Sequence, residues 1–443
     1  MQIPKLRWWV VTLVALATVI NYIDRQSLNV LWPEISAELY PDRTEDQRKE
    51  IYALISVIFV FAYAFGQAIF GKIFDWIGTR MGFALSIAVW SIATAAHAFA
   101  RGLATFALFR AILGVAEAGN WPGATKANAE WFPTKERALA QGIFNSGAAI
   151  GGIVSIPLIA FLSVFFDWHI IFIIVGLTGL LWLIPWMVLV KAPPKSHPWL
   201  TESERAYILT GQTGTETAEV ADKAETQAEA EEGYAPGTVE LLSRRQSWGV
   251  IIASAAIDPI WWLFVFWIPI YLSEVYGFNV REIGIYGWVP YVGAMFGAWF
   301  GGLFAQNRLK AGWSVNAARK GSITLGCLIM LPCLLGMSQA SDPITAVLIM
   351  AAILFGFQTA IGNVQTLASD YLSGKSVGTL AGFAGMAAKL GAAGLTYLVP
   401  WLTMGGNYTP AFVIGAALAL LALLSVWVIC GRIEPLKPKK EQA

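Results

Sequence analysis

The chain has 443 residues, of which 56% are hydrophobic and only 13% charged, where an average soluble protein carries roughly 25% charged residues. Its formal net charge of +1 leaves no bulk excess for nucleic acid or an acidic partner. At about 20 apolar residues per membrane span, this composition excludes an ordinary soluble enzyme and fits a polytopic membrane protein with short loops.

In chain order, Lys5 and Arg7 precede a long apolar run that opens at Trp8 and Trp9. No small-residue cleavage site closes a short hydrophobic core, so the run reads as a retained first helix rather than a leader. Apolar stretches of helix length lie at about 8–36, 51–74, 82–100, 103–125, 138–163 and 168–190. A second set lies at about 248–273, 281–305, 319–339, 343–366, 377–401 and 410–431. The expectation is an all-α membrane protein of twelve transmembrane helices in two six-helix bundles. Residues 1–190 form the first bundle, 191–246 a cytoplasmic linker, and 247–443 the second bundle with a cytoplasmic tail.

Within the linker, Thr201 and Glu204 have the spacing of a helix start, so a short surface helix is expected there. The run from Thr215 to Glu232, rich in Glu, Ala and Thr and without an aromatic, reads as a flexible or weakly helical connection.

Lys and Arg placement sets orientation, because positively charged loops stay cytoplasmic. With the N-terminus inside, only Arg43, Arg48, Lys49, Arg101 and Arg281 fall in outer loops. Both termini and the linker are therefore expected in the cytoplasm. The halves also resemble each other at an offset of about 240 residues: Glu130, Trp131, Phe132 and Lys135 align with Asp370, Tyr371, Leu372 and Lys375, and Gly142 and Gly151 with Gly382 and Gly391. Two parallel six-helix repeats are an architecture of secondary transporters.

A charge at mid-bilayer costs at least about 2.5 to 3.5 kcal/mol on insertion scales, so each one inside a span is a functional candidate. Six stand out: Asp24 and Arg25 in the first helix, Arg110 and Glu117 in the fourth, Asp258 in the seventh and Lys389 in the eleventh. Arg110 and Glu117 are seven apart, on one helix face about 10 Å from each other. The plain structural reading is that such groups pair across helices and stiffen the bundle. The functional reading is an anion site coupled to protons: an anion that takes over an arginine frees a carboxylate to bind a proton, and linkage makes the effect reciprocal. Asp258, just before Pro259, reads equally as a helix-end residue near the interface. Lys389, among Gly382, Gly385, Gly391 and Gly394, aligns with Ala149 in the first half, so internal symmetry does not require it. It reads as a second cationic contact for substrate or as the partner of a cavity acid.

Cys327, Cys333 and Cys430 give neither a disulfide framework nor a zinc pattern. His97, His169 and His197 form no metal cluster by spacing, so no cofactor beyond the coupling proton is expected. Trp121, Trp261, Trp262 and Trp267 could stack on a sugar-like carbon face, although packing explains each equally well.

After its second helix the chain reads Gly71, Lys72, Ile73, Phe74, Asp75, Trp76, Ile77, Gly78, Thr79, Arg80. This resembles the signature loop of the major facilitator superfamily; the second-half counterpart near Gly302 to Lys310 has Gln306 where the aspartate would stand. More narrowly, Asn21-Tyr22-Ile23-Asp24-Arg25, Arg110 through Glu117 to Trp121-Pro122, Glu130-Trp131-Phe132-Pro133, Phe144-Asn145-Ser146-Gly147, Trp267-Ile268-Pro269, Tyr276-Gly277-Phe278 and Ser369-Asp370 resemble the anion:cation symporter family, closest in flavour to bacterial hexuronate and galactonate transporters.

The resemblance implies that Gly71, Asp75, Gly78 and Arg80 belong to a gating relay, that Arg25 contacts a substrate carboxylate and that Tyr22 and Tyr63 line the pocket. It further implies proton-titrating roles for Asp24 and Glu117, with Arg110 as the cation near Asp24, and a polar contact from Asn145. Lys389 departs from the family's pattern. The expected protein is a proton-coupled importer of a hexuronate or related sugar acid by alternating access, monomeric, in a bacterial inner membrane, with the lipid bilayer and a small carboxylated substrate as its partners. The alternatives are an anion exchanger, a symporter for another carboxylate such as an aldonate or dicarboxylate, and, from another class, a transporter-like receptor.

Overall fold

The structure is a computed structural model that describes residues 2–213, 236–372 and 375–437, with side chains left out at 68, 75, 134, 135, 137–139, 141, 211–213 and 375–378. The expected connection from Thr215 to Glu232 lies outside the described residues.

The described chain is helical, and twelve of its helices are long and apolar enough to cross a membrane. The first six are α1 (Leu6–Leu39), α2 (Glu45–Phe74), α3 (Trp76–Phe99), α4 (Leu103–Trp131), α5 (Thr134–Leu162) and α6 (Trp168–Leu189). A shorter α7 spans Glu202–Thr213. The second six are α8 (Arg245–Tyr276), α9 (Val280–Lys310), α10 (Val315–Gln339), α11 (Pro343–Tyr371), α12 (Lys375–Leu402) and α13 (Thr409–Ile429). Several begin where a side-chain oxygen satisfies a first-turn N–H. Asp167 accepts from the Ile170 amide at 3.0 Å, Ser314 from Ala317 at 3.2 Å, and Asp342 from Thr345 at 2.9 Å. Near the start of α3, Gly78 departs from helical geometry, with a φ of 79° where glycine alone is at ease.

Most of the spans start earlier than their hydropathy indicates, and at two of them this changes a reading. α2 opens at Glu45, so Lys49, counted among the outer charges, stands in a helix and not in a loop, and it is buried. Its ammonium binds Asp46 at 2.9 Å, Glu274 at 2.8 Å and the Thr403 carbonyl at 2.8 Å. Hydropathy misses this because a buried cation with several oxygen partners looks, in sequence, like a solvated loop lysine. α8 opens at Arg245, which places Asp258 deep inside it rather than at a helix end.

The chain divides into two compact units. One comprises Met1–Thr44, Leu54–Glu225 and Asn279–Ile285, the other Glu45–Ala53, Thr226–Phe278 and Tyr286–Ala443. In the first, Phe83, Trp90, Trp182 and Trp186 are buried between α3 and α6, with Trp182 and Trp186 stacked at 5.1 Å. In the second, α8 is buried at every residue from 259 to 272. Large apolar side chains such as Phe65, Trp76, Phe99 and Leu181 are exposed, as a surface facing acyl chains requires.

The repeat is visible as matching contacts. The Thr79 hydroxyl donates to Glu130 at 2.7 Å; Arg319, at the equivalent position, binds Asp370 at 2.8 Å. Gly151 lies so close to α1 that a Cβ would fall 3.2 Å from the Val19 Cα, and Gly391 so close to α8 that one would fall 3.1 Å from the Pro259 ring.

Candidate functional site

The buried charges of the first unit converge. Arg25, 3% exposed, donates from Nη2 to Glu117 Oε2 at 2.8 Å and to Asn21 Oδ1 at 3.2 Å. Asn21 precedes Arg25 by four residues, one turn along the same face of α1. The rings of Tyr22, Phe59 and Tyr63 surround the guanidinium, with centroids 5.1, 5.3 and 5.5 Å from its carbon. Such ring faces stabilise a cation without carrying a charge of their own.

Arg110 is equally buried and donates from Nη2 to the Arg25 carbonyl at 3.5 Å. Between Arg110 and Glu117 on α4 lies Gly114, where a Cβ would sit 2.6 Å from the Phe59 carbonyl oxygen. The missing side chain lets α2 approach and brings Phe59 and Tyr63 against the charges. Asp24 is 1% exposed, and among the described residues neither carboxylate oxygen has a hydrogen-bond partner. The Thr94 hydroxyl and Glu117 Oε1 are buried and unbonded in the same way. Formal charges of Asp24, Arg25, Arg110 and Glu117 cancel, and Arg25 and Glu117 make an ion pair at 2.8 Å.

The other expected residues are distributed as follows. Tyr22 and Tyr63 are buried against Arg25, whereas Asn145 lies exposed on α5. In the gating stretch, Arg80 donates to the Met187 carbonyl at 3.3 Å and its own carbonyl accepts from the Trp186 indole at 3.0 Å. A Cβ on Gly71 would meet nothing within 4 Å, and the side chain of Asp75 lies outside the described residues. Lys389 is in the second unit, where its Nζ binds Asp258 Oδ2 at 2.8 Å. The Trp262 indole donates to the same oxygen at 2.9 Å. Among the described residues no group of three His, Cys, Asp or Glu could hold a metal ion.

One polar cluster escapes sequence reasoning. Arg7 binds Glu136 at 3.0 Å and Glu204 at 2.8 Å, Tyr207 donates to Glu136 at 2.8 Å, and Glu204 also accepts from the Leu6 amide at 3.1 Å. Glu204 thus neutralises the N-terminal end of α1 and docks α7 there. The capping pattern places Glu204 at a helix start, and the Thr201 hydroxyl does accept from the Glu204 amide at 3.3 Å. Where its carboxylate points is a contact with residues 197 and more positions away, which no local pattern carries.

The sequence profile of the Major Facilitator Superfamily matches residues 14–394. The chain belongs to the major facilitator superfamily. It is accordingly a multi-pass membrane transporter and not an enzyme. A hexuronate transporter of Escherichia coli is 31% identical over 431 residues, covering 97% of this chain and 95% of the relative. A galacturonate transporter of Dickeya chrysanthemi is 32% identical over 333 residues, 74% of this chain and 90% of its own. A D-galactonate transporter of Escherichia coli is 28% identical, with 97% and 96% covered. Among solved major facilitator folds, a D-xylose-proton symporter superposes with a TM-score of 0.70 at 13% identity, covering 96% of this chain and 98% of that one. A bacterial homologue of the lysosomal transporter Spinster, inward-facing, gives 0.71 at 19% identity, with 96% and 93% covered. At these identities the superpositions speak for the fold alone.

Proposed function

We propose that this protein is a proton-coupled symporter that imports a hexuronate or related sugar acid across a bacterial inner membrane, as a monomer with both termini in the cytoplasm. The observation that carries the reading is the pairing of Arg25 with Glu117 at 2.8 Å, both at most 3% exposed, next in sequence to the hydrogen-bond-free carboxylate of Asp24. Arg25 is the anchor for the substrate carboxylate, since a guanidinium presents a planar fork of donors that matches it. When the anion takes Arg25, Glu117 loses its counter-charge and is left to a proton. Protonation of both Glu117 and Asp24 leaves Arg25 and Arg110 as two net positive charges, of which a single carboxylate balances one; protonation of Glu117 alone leaves one, which it balances in full.

Occupancy by one carboxylate and one proton is neutral and lets the two six-helix halves rock between outward and inward access; the anion or the proton alone leaves a charge that resists the movement. The names of the relatives, which are transporters of hexuronate, galacturonate and D-galactonate, support the substrate class.

The test is transport in proteoliposomes with an imposed pH gradient. Glu117→Gln is expected to abolish proton-driven accumulation while preserving substrate exchange, because the substituted residue mimics the permanently protonated state. Uphill uptake undiminished in that variant would refute the role given to Glu117.

A further inference from the structure

We propose that Asp258 and Lys389 form a hydroxyl-reading subsite in the second unit, one that selects a substrate whose part remote from its carboxylate is a neutral, hydroxylated carbon chain. The inference rests on the sugar-acid reading above and narrows it to acids with a single carboxylate.

The second unit contains a cavity of about 250 Å³ among α8, α11 and α12, bordered on its polar side by Ser254, Asp258, Gln365 and Lys389. The side chains of Lys389 and Asp258 are 18% and 13% exposed, so a solute entering that cavity reaches both. Their spare hydrogen-bonding capacity is specific. Asp258 Oδ2 takes both the ammonium and the Trp262 indole, which leaves Oδ1 to accept from a ligand. An ammonium has three donors, and among the described residues Asp258 uses one. Trp262 fixes the geometry from two sides: it holds the carboxylate through its N–H, and its ring centroid lies 5.1 Å from Lys389 Nζ.

The charge balance decides what fits. The pair is formally neutral, and Ser254 and Gln365 add only neutral groups. A second carboxylate brought to Lys389 would gather two anions around one ammonium, with like-charge repulsion at close range. Adjacent hydroxyls suit the site better, because one donates to Asp258 Oδ1 while its neighbour accepts from Lys389 Nζ, and neither partner has to give up the other. Packing does not call for the pair: the equivalent positions in the first unit are Thr18 and Ala149, and α1 and α5 pack there without a charge at either position.

A site built to bond hydroxyls rejects an analogue that lacks one, because its own polar groups are then left unpaired. The experiment compares binding of galacturonate, a deoxy analogue lacking one ring hydroxyl, and the dicarboxylate galactarate to the purified full-length protein. It uses the wild type and the double variant Asp258→Asn/Lys389→Met, which leaves no lone charge behind. The wild type is expected to prefer galacturonate to the deoxy analogue by about ten- to hundredfold. In the double variant the ratio is expected to collapse to about threefold or less, while both ligands still bind. Should the double variant not fold, Asp258→Asn alone, close in shape to the native residue, supports the same comparison.

An unchanged ratio in the variant overturns the subsite. Tighter binding of galactarate than of galacturonate, abolished by Lys389→Met, overturns it in favour of a second carboxylate. If the wild type binds none of the three acids, the sugar-acid reading itself fails and this inference with it.

Discussion

Arg25 and Glu117 show why a buried pair is stable only as a pair. Each lost its hydration on burial and regained it through the other. Arg25→Ala is therefore expected to destabilise the protein by about 3–5 kcal/mol, because Glu117 is left in a dry site without its partner, and the double variant Arg25→Ala/Glu117→Gln to recover most of that loss. Thermal unfolding in detergent measures both; equal instability of the single and double variants would show that the arginine acts through packing alone. The four residues Asp24, Arg25, Arg110 and Glu117 were legible in the sequence because charge inside an apolar run is costly and therefore conspicuous. Their pairing was not. A seven-residue spacing shows that Arg110 and Glu117 share a face, but Glu117 finds its partner on another helix, 92 positions away.

At the scale of elements, the segment joining α6 to α7 is held by His197, which is fully buried and has a ring nitrogen on either side of a turn. Its Nδ1 accepts from the Trp199 amide at 3.2 Å, and its Nε2 lies 2.9 Å from the Leu189 carbonyl. That arrangement suits the neutral ring with the proton on Nε2, because the Leu189 carbonyl is there to accept it at 2.9 Å, nearer than the Lys191 amide at 3.3 Å, whereas Nδ1 faces the Trp199 N–H. Burial, helped by the charges of Lys191 and Arg205, holds the His197 pKa below its ordinary value. A depressed histidine contributes stability that is fully present above the unfolded value near 6.5 and is lost as pH falls below it.

Hydrogen exchange at the Trp199 amide is expected to accelerate as pH drops from about 6.5, beyond the intrinsic pH effect, and His197→Gln to remove that extra dependence. A wild-type profile identical to that of the variant would refute the role of the ring. The helix start at Thr201 was readable because capping is local. The docking of α7 on α1 through Glu204 and Arg7 was not, because it joins opposite ends of the first unit's sequence.

For the whole molecule, the proposed orientation rests on the uneven distribution of lysines and arginines among the loops of the sequence. Fluorescent-protein fusions at either terminus are expected to fluoresce in intact cells, because the reporter matures in the cytoplasm and fails when exported by the general secretory route. A dark fusion at one end, with normal protein levels, would reverse the assignment for that end. Length, composition and the spacing of apolar runs were enough for twelve spans, two six-helix repeats and the short list of buried charges, since each depends on hydropathy along the chain and on the cost of charge in lipid. Only the tertiary structure paired Arg25 with Glu117 and Lys389 with Asp258, left Asp24 without a hydrogen bond, and turned Lys49 from a loop charge into a buried one. The reason is that a charge's tolerance inside a membrane depends on which groups from distant helices surround it, and that is a property of packing rather than of sequence order.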